Sequence, residues 1–124
     1  MEKEKKQHTQ IYVVCGKTDM RKGIDGLASV IVQNKEDKLF EQEAIFLFCG
    51  GKKDRYKALY WEKDGFSLLY KRLENGKLKW PKESEEEYIL LNDQQYRWLL
   101  EGLSINQPKA VKEAKAGDLL KNLR

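Results

Sequence analysis

Histidine is all but missing from this sequence. His8 is the single one, and it sits in the polar stretch MEKEKKQHTQ with no orienting partner nearby. Nucleophilic Ser or Cys chemistry usually depends on a positioned imidazole, so no such catalytic set is assembled here. Cysteine is also scarce, with Cys15 and Cys49 far apart. Structural zinc sites need four Cys or His ligands at close paired spacings, which excludes one as the organising feature. In a reducing compartment the two thiols read as small buried apolar side chains rather than a disulfide. Long apolar runs are absent too, so neither a membrane span nor a secretory leader is expected. The absences together predict a cytoplasmic, soluble protein with no metal, no cofactor and no small-molecule substrate.

Charge is what the chain has in quantity, and it is segregated. Between residues 50 and 82 there are ten Lys/Arg against four Asp/Glu, whereas 83–101 carries six acids against Arg97 alone. The tail from 102 is basic again. Basic clusters attract polyanions, and acidic ones repel them or meet basic partner surfaces. At 124 residues the chain is long enough for one modest core.

Ile11 to Cys15 is β-branched and apolar, a buried strand ending at Gly16. From Thr18 the period changes: Met20, Ile24, Leu27, Ala28 and Ile31 share one face of a helix, with Thr18 or Asp19 as cap. Residues 34–42 are polar and read as a loop. Ala44–Cys49 is a continuous apolar run, predicted to be central in a sheet. Tyr56–Lys63 and Phe66–Leu73 follow as strands joined across Asp64-Gly65, and Asn75-Gly76 signals a two-residue hairpin into a further strand ending at Trp80-Pro81. Ile89-Leu90-Leu91 leads into a second helix, with a capping box from Asn92 and Gln95 and a stop at Gly102. The predicted fold is α+β: an antiparallel sheet of about five strands with two helices on one face, in the order β-α-β-β-β-β-α. Residues 1–10 read as a flexible basic terminus, 11–103 as a single domain and 104–124 as a flexible or partner-binding tail.

Two stretches could carry chemistry. FCGGKKDRYK is not a nucleotide-hydrolysing P-loop, because that loop needs Gly-Lys-Ser/Thr opening a helix, and here Asp54 follows Lys53. As a basic turn it fits better. Gly50 and Gly51 allow close backbone approach to a phosphate, and Lys52, Lys53 and Arg55 supply charge, extended by Lys57, Lys71, Arg72, Lys77 and Lys79. Tyr60, Trp61, Tyr70 and Trp80 are interleaved with these bases and could stack on unpaired bases or simply fill the core. In DMRKGIDG, Arg21 and Lys22 would oppose the dipole of a helix starting at residue 18, at about 0.3–1 kcal/mol each. Either an anion docks there, or Arg21 pairs with Asp25 one turn on. The acids are scattered, so two-metal phosphodiester cleavage has no visible site.

The segments CGKTDMRKGIDGL, FLFCGGKKDRYKALYWEKDGFSLLYKRLENGKLKWP and ILLNDQQYRWLLEGL occur in an order that resembles the small Orf2-type (TnpB) accessory proteins of insertion-sequence family sixty-six. The resemblance spans roughly residues 11 to 103. It implies a non-enzymatic accessory role in DNA transposition, beside a separate transposase of the same element and a second accessory protein. On that view DNA at the transposon ends would be gripped by Arg21, Lys22, Lys52, Lys53, Arg55, Lys57, Lys71 and Arg72, with Tyr60 or Trp61 stacking on a base. The alternative is an interaction module in which the acidic loop 83–87, the second helix and the basic tail dock on the transposase without touching DNA.

Overall fold

Neighbouring residues of the first strand, β1 (Gln10–Val14), face opposite layers, and both layers are apolar. Ile11 and Val13 join one core with Leu99 of the second helix, while Tyr12 and Val14 join another with Leu27 and Ile31 of the first. The same holds for β2 (Ala44–Cys49), buried along its whole length. A strand that is apolar on both sides demands cover on both sides, which is why these two runs do not alternate. The computed structural model describes residues 9–39 and 43–109, with 111, 114, 116 and 117 beyond, and only the backbone of 34–39. The terminal stretch 1–8 and most of the tail after 109 lie outside the described residues.

The class is α+β and the element order is the predicted one: β1, α1 (Ile24–Leu39), β2, β3 (Arg55–Glu62), β4 (Gly65–Arg72), β5 (Tyr88–Leu91) and α2 (Asp93–Leu100). The sheet and its covering layers differ from the expectation in three details. The sheet, ordered β4-β3-β2-β1-β5, is mixed, because β1 and β2 pair in parallel. A helix of 16 residues spans about 24 Å, enough to carry the chain back past a short strand, so β2 sets out from the same end as β1. The helices also lie on opposite faces, α1 over Tyr12, Phe46 and Leu59, and α2 over Val13, Leu47 and Ala58. Finally, the fifth strand is Tyr88–Leu91, antiparallel to β1, and 77–80 is not a strand. Gly76 has φ of 83° but Asn75 is not in the left-handed region, so the pair does not form the type I′ turn that would fold the chain back onto β4. Instead Leu78 and Trp80 bury on the α2 face. Residues 34–39 continue α1 rather than forming a loop.

Helix α1 begins at Ile24, not Thr18. Gly23 accepts the first helical bond through its carbonyl, from the Leu27 amide at 3.0 Å. Arg21 and Lys22 therefore precede the helix instead of burdening its first turn. Ile105, beyond the boundary read at residue 103, is buried in the α2-side core.

Helix α2 has eight residues, too short to persist on its own, and is fixed at both ends. Asn92 accepts from the Gln95 amide at 2.8 Å, and the Gln95 side chain accepts from the Asn92 amide at 3.1 Å, the capping box expected from the sequence. At the other end Gly102 (φ 81°) donates to Leu99 and Leu103 to Trp98, a Schellman closure. A Cβ on Gly102 would stand 3.1 Å from the Lys77 carbonyl oxygen. Gly102→Ala should therefore cost about 1–2 kcal/mol, and Asn92→Ala about 1 kcal/mol. Urea unfolding should show lower midpoints at unchanged slope for both, and an unshifted midpoint for Gly102→Ala would remove the Schellman account.

Candidate nucleic-acid interface

The strand directions send three loops to one end of the sheet: 15–23 after β1, 50–54 between β2 and β3, and 73–87 between β4 and β5. Six of the cations selected from the sequence, Arg21, Lys22, Lys52, Lys53, Lys77 and Lys79, lie in these loops. Arg55 opens β3 and Arg72 closes β4 at the same end, as partners in register. So the convergence that the sequence could only suggest is a consequence of topology.

Backbone bonds hold the three loops together. The Thr18 amide donates to the Cys49 carbonyl (2.8 Å), Gly16 to Pro81 (2.9 Å) and Leu78 to Lys53 (2.8 Å). Gly50 is a point of close approach, because a Cβ there would lie 2.6 Å from Cγ of Met20. Residues 50–53 close a turn through the Lys53 amide and Gly50 carbonyl, and Lys53 then adopts a left-handed conformation (φ 60°). A non-glycine residue there costs about 1–2 kcal/mol. The arrangement aims the Lys53 carbonyl at Leu78 and leaves its ammonium exposed.

The three arginines are each paired to a nearby acid. Arg21 reaches Asp19 at 2.8 Å, not Asp25, and its guanidinium holds the Asp19 carboxyl far below the usual carboxylate range. Arg55 pairs with Asp54 at 2.9 Å and donates to the Tyr70 hydroxyl at 3.1 Å, while Arg72 pairs with Glu74 at 2.8 Å. The Asp54 pairing pushes the Arg55 pKa up. The Arg21 and Arg72 pairs are exposed and worth about 0–1 kcal/mol, whereas the Arg55–Asp54 pair is part-buried. Lys52 and Lys53 pair with no carboxylate among the described residues.

Four sequence-selected residues lie elsewhere or are otherwise engaged. Lys57 is buried, donating to the Lys22 carbonyl at 2.8 Å with its ammonium 5.4 Å from the Tyr70 ring centre. Its charge anchors the turn ahead of α1 and does not face solvent. Tyr60 is buried in the α2-side core. Trp61 packs edge-on against Phe66, ring centres 5.0 Å apart. Both stand at the far end of β3, roughly 17 and 20 Å from Arg55 by strand rise, well away from the basic end. Lys71 shares the face of Leu69, opposite Tyr70 and Arg72, because side chains alternate.

Sequence reasoning passed over Lys17 and Lys82. With Gly16, Gly50, Gly51, Lys53, Trp80, Pro81 and Glu83 they line a cleft of about 350 Å³ on one side of the 50–53 turn. A smaller cleft, about 220 Å³, lies on the other side, between Thr18, Met20, Lys52 and Arg55. The signal was positional: Lys17 follows a strand end and a glycine, and Lys82 follows Trp80-Pro81.

Architecture and charge define a small α+β domain with a cationic sheet end. The chain belongs to the IS66 Orf2-like family: residues 9–110 match the family described as IS66 Orf2 like protein (TnpB_IS66). It is also similar, with 27% identity over 103 residues, to the uncharacterized protein y4hO of Sinorhizobium fredii (strain NBRC 101917 / NGR234), the match covering 83% of this chain and 88% of that protein. No solved structure matches it. The family provides accessory proteins of IS66 transposition and is not one of known enzymes. Among the described residues no helix is long and apolar enough to cross a membrane.

Cys49, at the base of the 50–53 turn, is buried, donates to the Arg55 carbonyl at 3.2 Å, and has its thiol pKa pushed by burial from 9.0 to about 11. Its folded value exceeds its unfolded one, so between about pH 9 and 11 the unfolded chain holds fewer protons and stability must fall as pH rises. Denaturation midpoints in that window should drop more in wild type than in Cys49→Ala. Equal slopes would mean that the thiol is not the titrating group.

Proposed function

We propose that the protein acts as a non-enzymatic accessory factor in transposition and grips the DNA backbone with the cationic end of its sheet, beside a separate transposase. The observation that supports this most is the meeting of Lys17, Arg21, Lys22, Lys52, Lys53, Arg55 and Arg72 at one sheet end from separate segments. Keeping lysine at position 53, where glycine would be unstrained, also suits a site in which the charge matters more than local stability.

The acidic stretch 83–87 enters β5 at this same end, on the far side of β1 from β2. A duplex would avoid that side, whereas a basic protein surface would favour it. The reading therefore assigns DNA to the β2–β3–β4 side and the transposase to the β5 side. Docking on the transposase without DNA contact is the second reading. A gel shift that shows no binding at low salt, with retained co-purification of transposase, would select it.

Binding to transposon-end duplex should weaken linearly on a log–log salt plot, with a slope of about −0.9 per phosphate neutralised. Arg55→Ala and Arg72→Ala should each reduce that slope by about one, and Lys71→Ala, on the other face, should leave it unchanged. A flat salt response in wild type would overturn DNA binding.

Lys53→Gly separates charge from backbone. Removing the left-handed strain offsets the entropy of an added glycine, so unfolding free energy should stay within about 1 kcal/mol of wild type while DNA affinity falls. Urea melts paired with the gel shift check both halves, and an undiminished affinity would remove Lys53 from the interface.

A further inference from the structure

The two edges of the sheet differ in chemistry. Strand β4 ends in exposed Tyr70, Lys71 and Arg72, and charges on an edge strand resist pairing with another chain. Strand β5, at the opposite edge, is Tyr88-Ile89-Leu90-Leu91 and carries neither a charge nor a proline. Its pairing with β1 fixes where its backbone points. The Cys15 amide donates to the Glu87 carbonyl at 2.9 Å, and Val14 stands opposite Tyr88. Bonded and non-bonded pairs alternate in an antiparallel ladder, so Val13–Ile89 and Ile11–Leu91 exchange hydrogen bonds and Tyr12–Leu90 do not. The Leu90 amide and carbonyl therefore point away from β1, toward a side on which no strand lies among the described residues. The Leu90 side chain is 53% exposed.

The rest of β5 is anchored. Tyr88 donates its hydroxyl to the Ile31 carbonyl at 3.1 Å and packs edge-on against Tyr12 and Phe46, while Ile89 and Leu91 pack in the α2-side core. An edge held in this way needs no reordering to accept a further strand. Charge selects what that strand can be. Exposed Glu83, Glu85, Glu86 and Glu87 lead into β5, and exposed Asp93 follows it. A second copy paired antiparallel would bring Glu87 toward Asp93, and one paired parallel would set the glutamates against each other, so self-pairing is disfavoured both ways. A strand flanked by Lys or Arg meets opposite charge instead. We propose that β5 accepts an extended segment of a basic partner chain as an added strand, with an apolar side chain against Leu90 and cations beside 83–87. This deepens the reading that the transposase docks on the β5 side, and rests on it, with the transposase supplying the segment.

Leu90 supplies the test, since none of the cations assigned to DNA lies on β5. Leu90→Pro removes the outward amide and no bond to β1, and Leu90→Lys gives β5 the protection that β4 already has. The full chain would be titrated with purified transposase of the same element, urea melts of each variant checking that it folds. Amide hydrogen exchange would be followed with and without transposase.

Each variant should weaken transposase binding by at least about tenfold, a detectable share of any micromolar affinity. The Leu90 amide should exchange quickly in the free chain and slowly in the complex, whereas Ile89 and Leu91, bonded to β1, should be slow in both. That contrast separates strand pairing from docking through side chains alone. If the proline lowers the urea midpoint, Leu90→Lys and the exchange pattern carry the decision. Unchanged affinity in folded Leu90→Lys, or a Leu90 amide that transposase does not slow, would overturn the added strand while leaving docking elsewhere on the β5 side intact. Self-association of the wild-type chain that Leu90→Lys abolishes would overturn it as well, by making a second copy the occupant. Failure of the wild-type chain to bind transposase would instead defeat the docking reading beneath it.

Discussion

Because β1 and β2 run in parallel, the chain must leave the end of β1, return along α1, and begin again at the opposite end. That constraint places the loop after β1 beside the loop after β2, and the Thr18–Cys49 backbone bond locks them together. Without it, 15–23 and 50–54 would have no reason to meet. The antiparallel pairs β2–β3 and β3–β4 then bring Arg55 and Arg72 to the same end, and β5, antiparallel to β1, brings in 81–87. The cationic surface is built from loops whose positions the sheet dictates.

Two-sided burial of β1 and β2 is the second determinant. Each needs a layer above and below, and the two helices divide that work. On the α2 side the short helix covers only part of the sheet, and the segment 77–80 covers more, inserting Leu78 and Trp80. This strap forms one wall of the larger cleft, so a part of the chain that failed to become a strand is what shapes the recess. Lys57 has a comparable structural role on the other face. A lysine within a buried strand is costly unless its ammonium is satisfied, and here the Lys22 carbonyl and Tyr70 ring satisfy it while fixing the turn that presents Arg21.

Membership in the IS66 Orf2-like family ties the chain to transposition, and the charge at its sheet end is sorted by segment. The arginines come with their own counter-acids, which limits self-repulsion at the crowded sheet end. Among the described residues Lys52 and Lys53 pair with no carboxylate, and they leave exposed positive charge on the 50–53 turn. Acidic 83–87 lies on the β5 side of the same end, so the charge there is asymmetric across the sheet.

The sequence by itself determined the elements whose cause is local. The capping box at Asn92, the stop at Gly102, the central apolar strand Ala44–Cys49 and the order of elements depend on residues near one another, and they form as their side chains require. Motif resemblance identified the family for the same reason, since contiguous residues carry it. Only the tertiary structure decided the rest. Whether β1 and β2 run parallel, which face each helix covers, and whether Leu78 pairs or buries depend on partners distant in sequence. The site follows that division: Arg21, Lys53 and Arg55 were legible as a basic set, but a lysine's exposure depends on what packs over it. Lys57 was lost to the interior, Lys71 fell on the other face, Tyr60 and Trp61 lay a strand's length away, and Lys17 and Lys82 emerged because separated loops close around one recess.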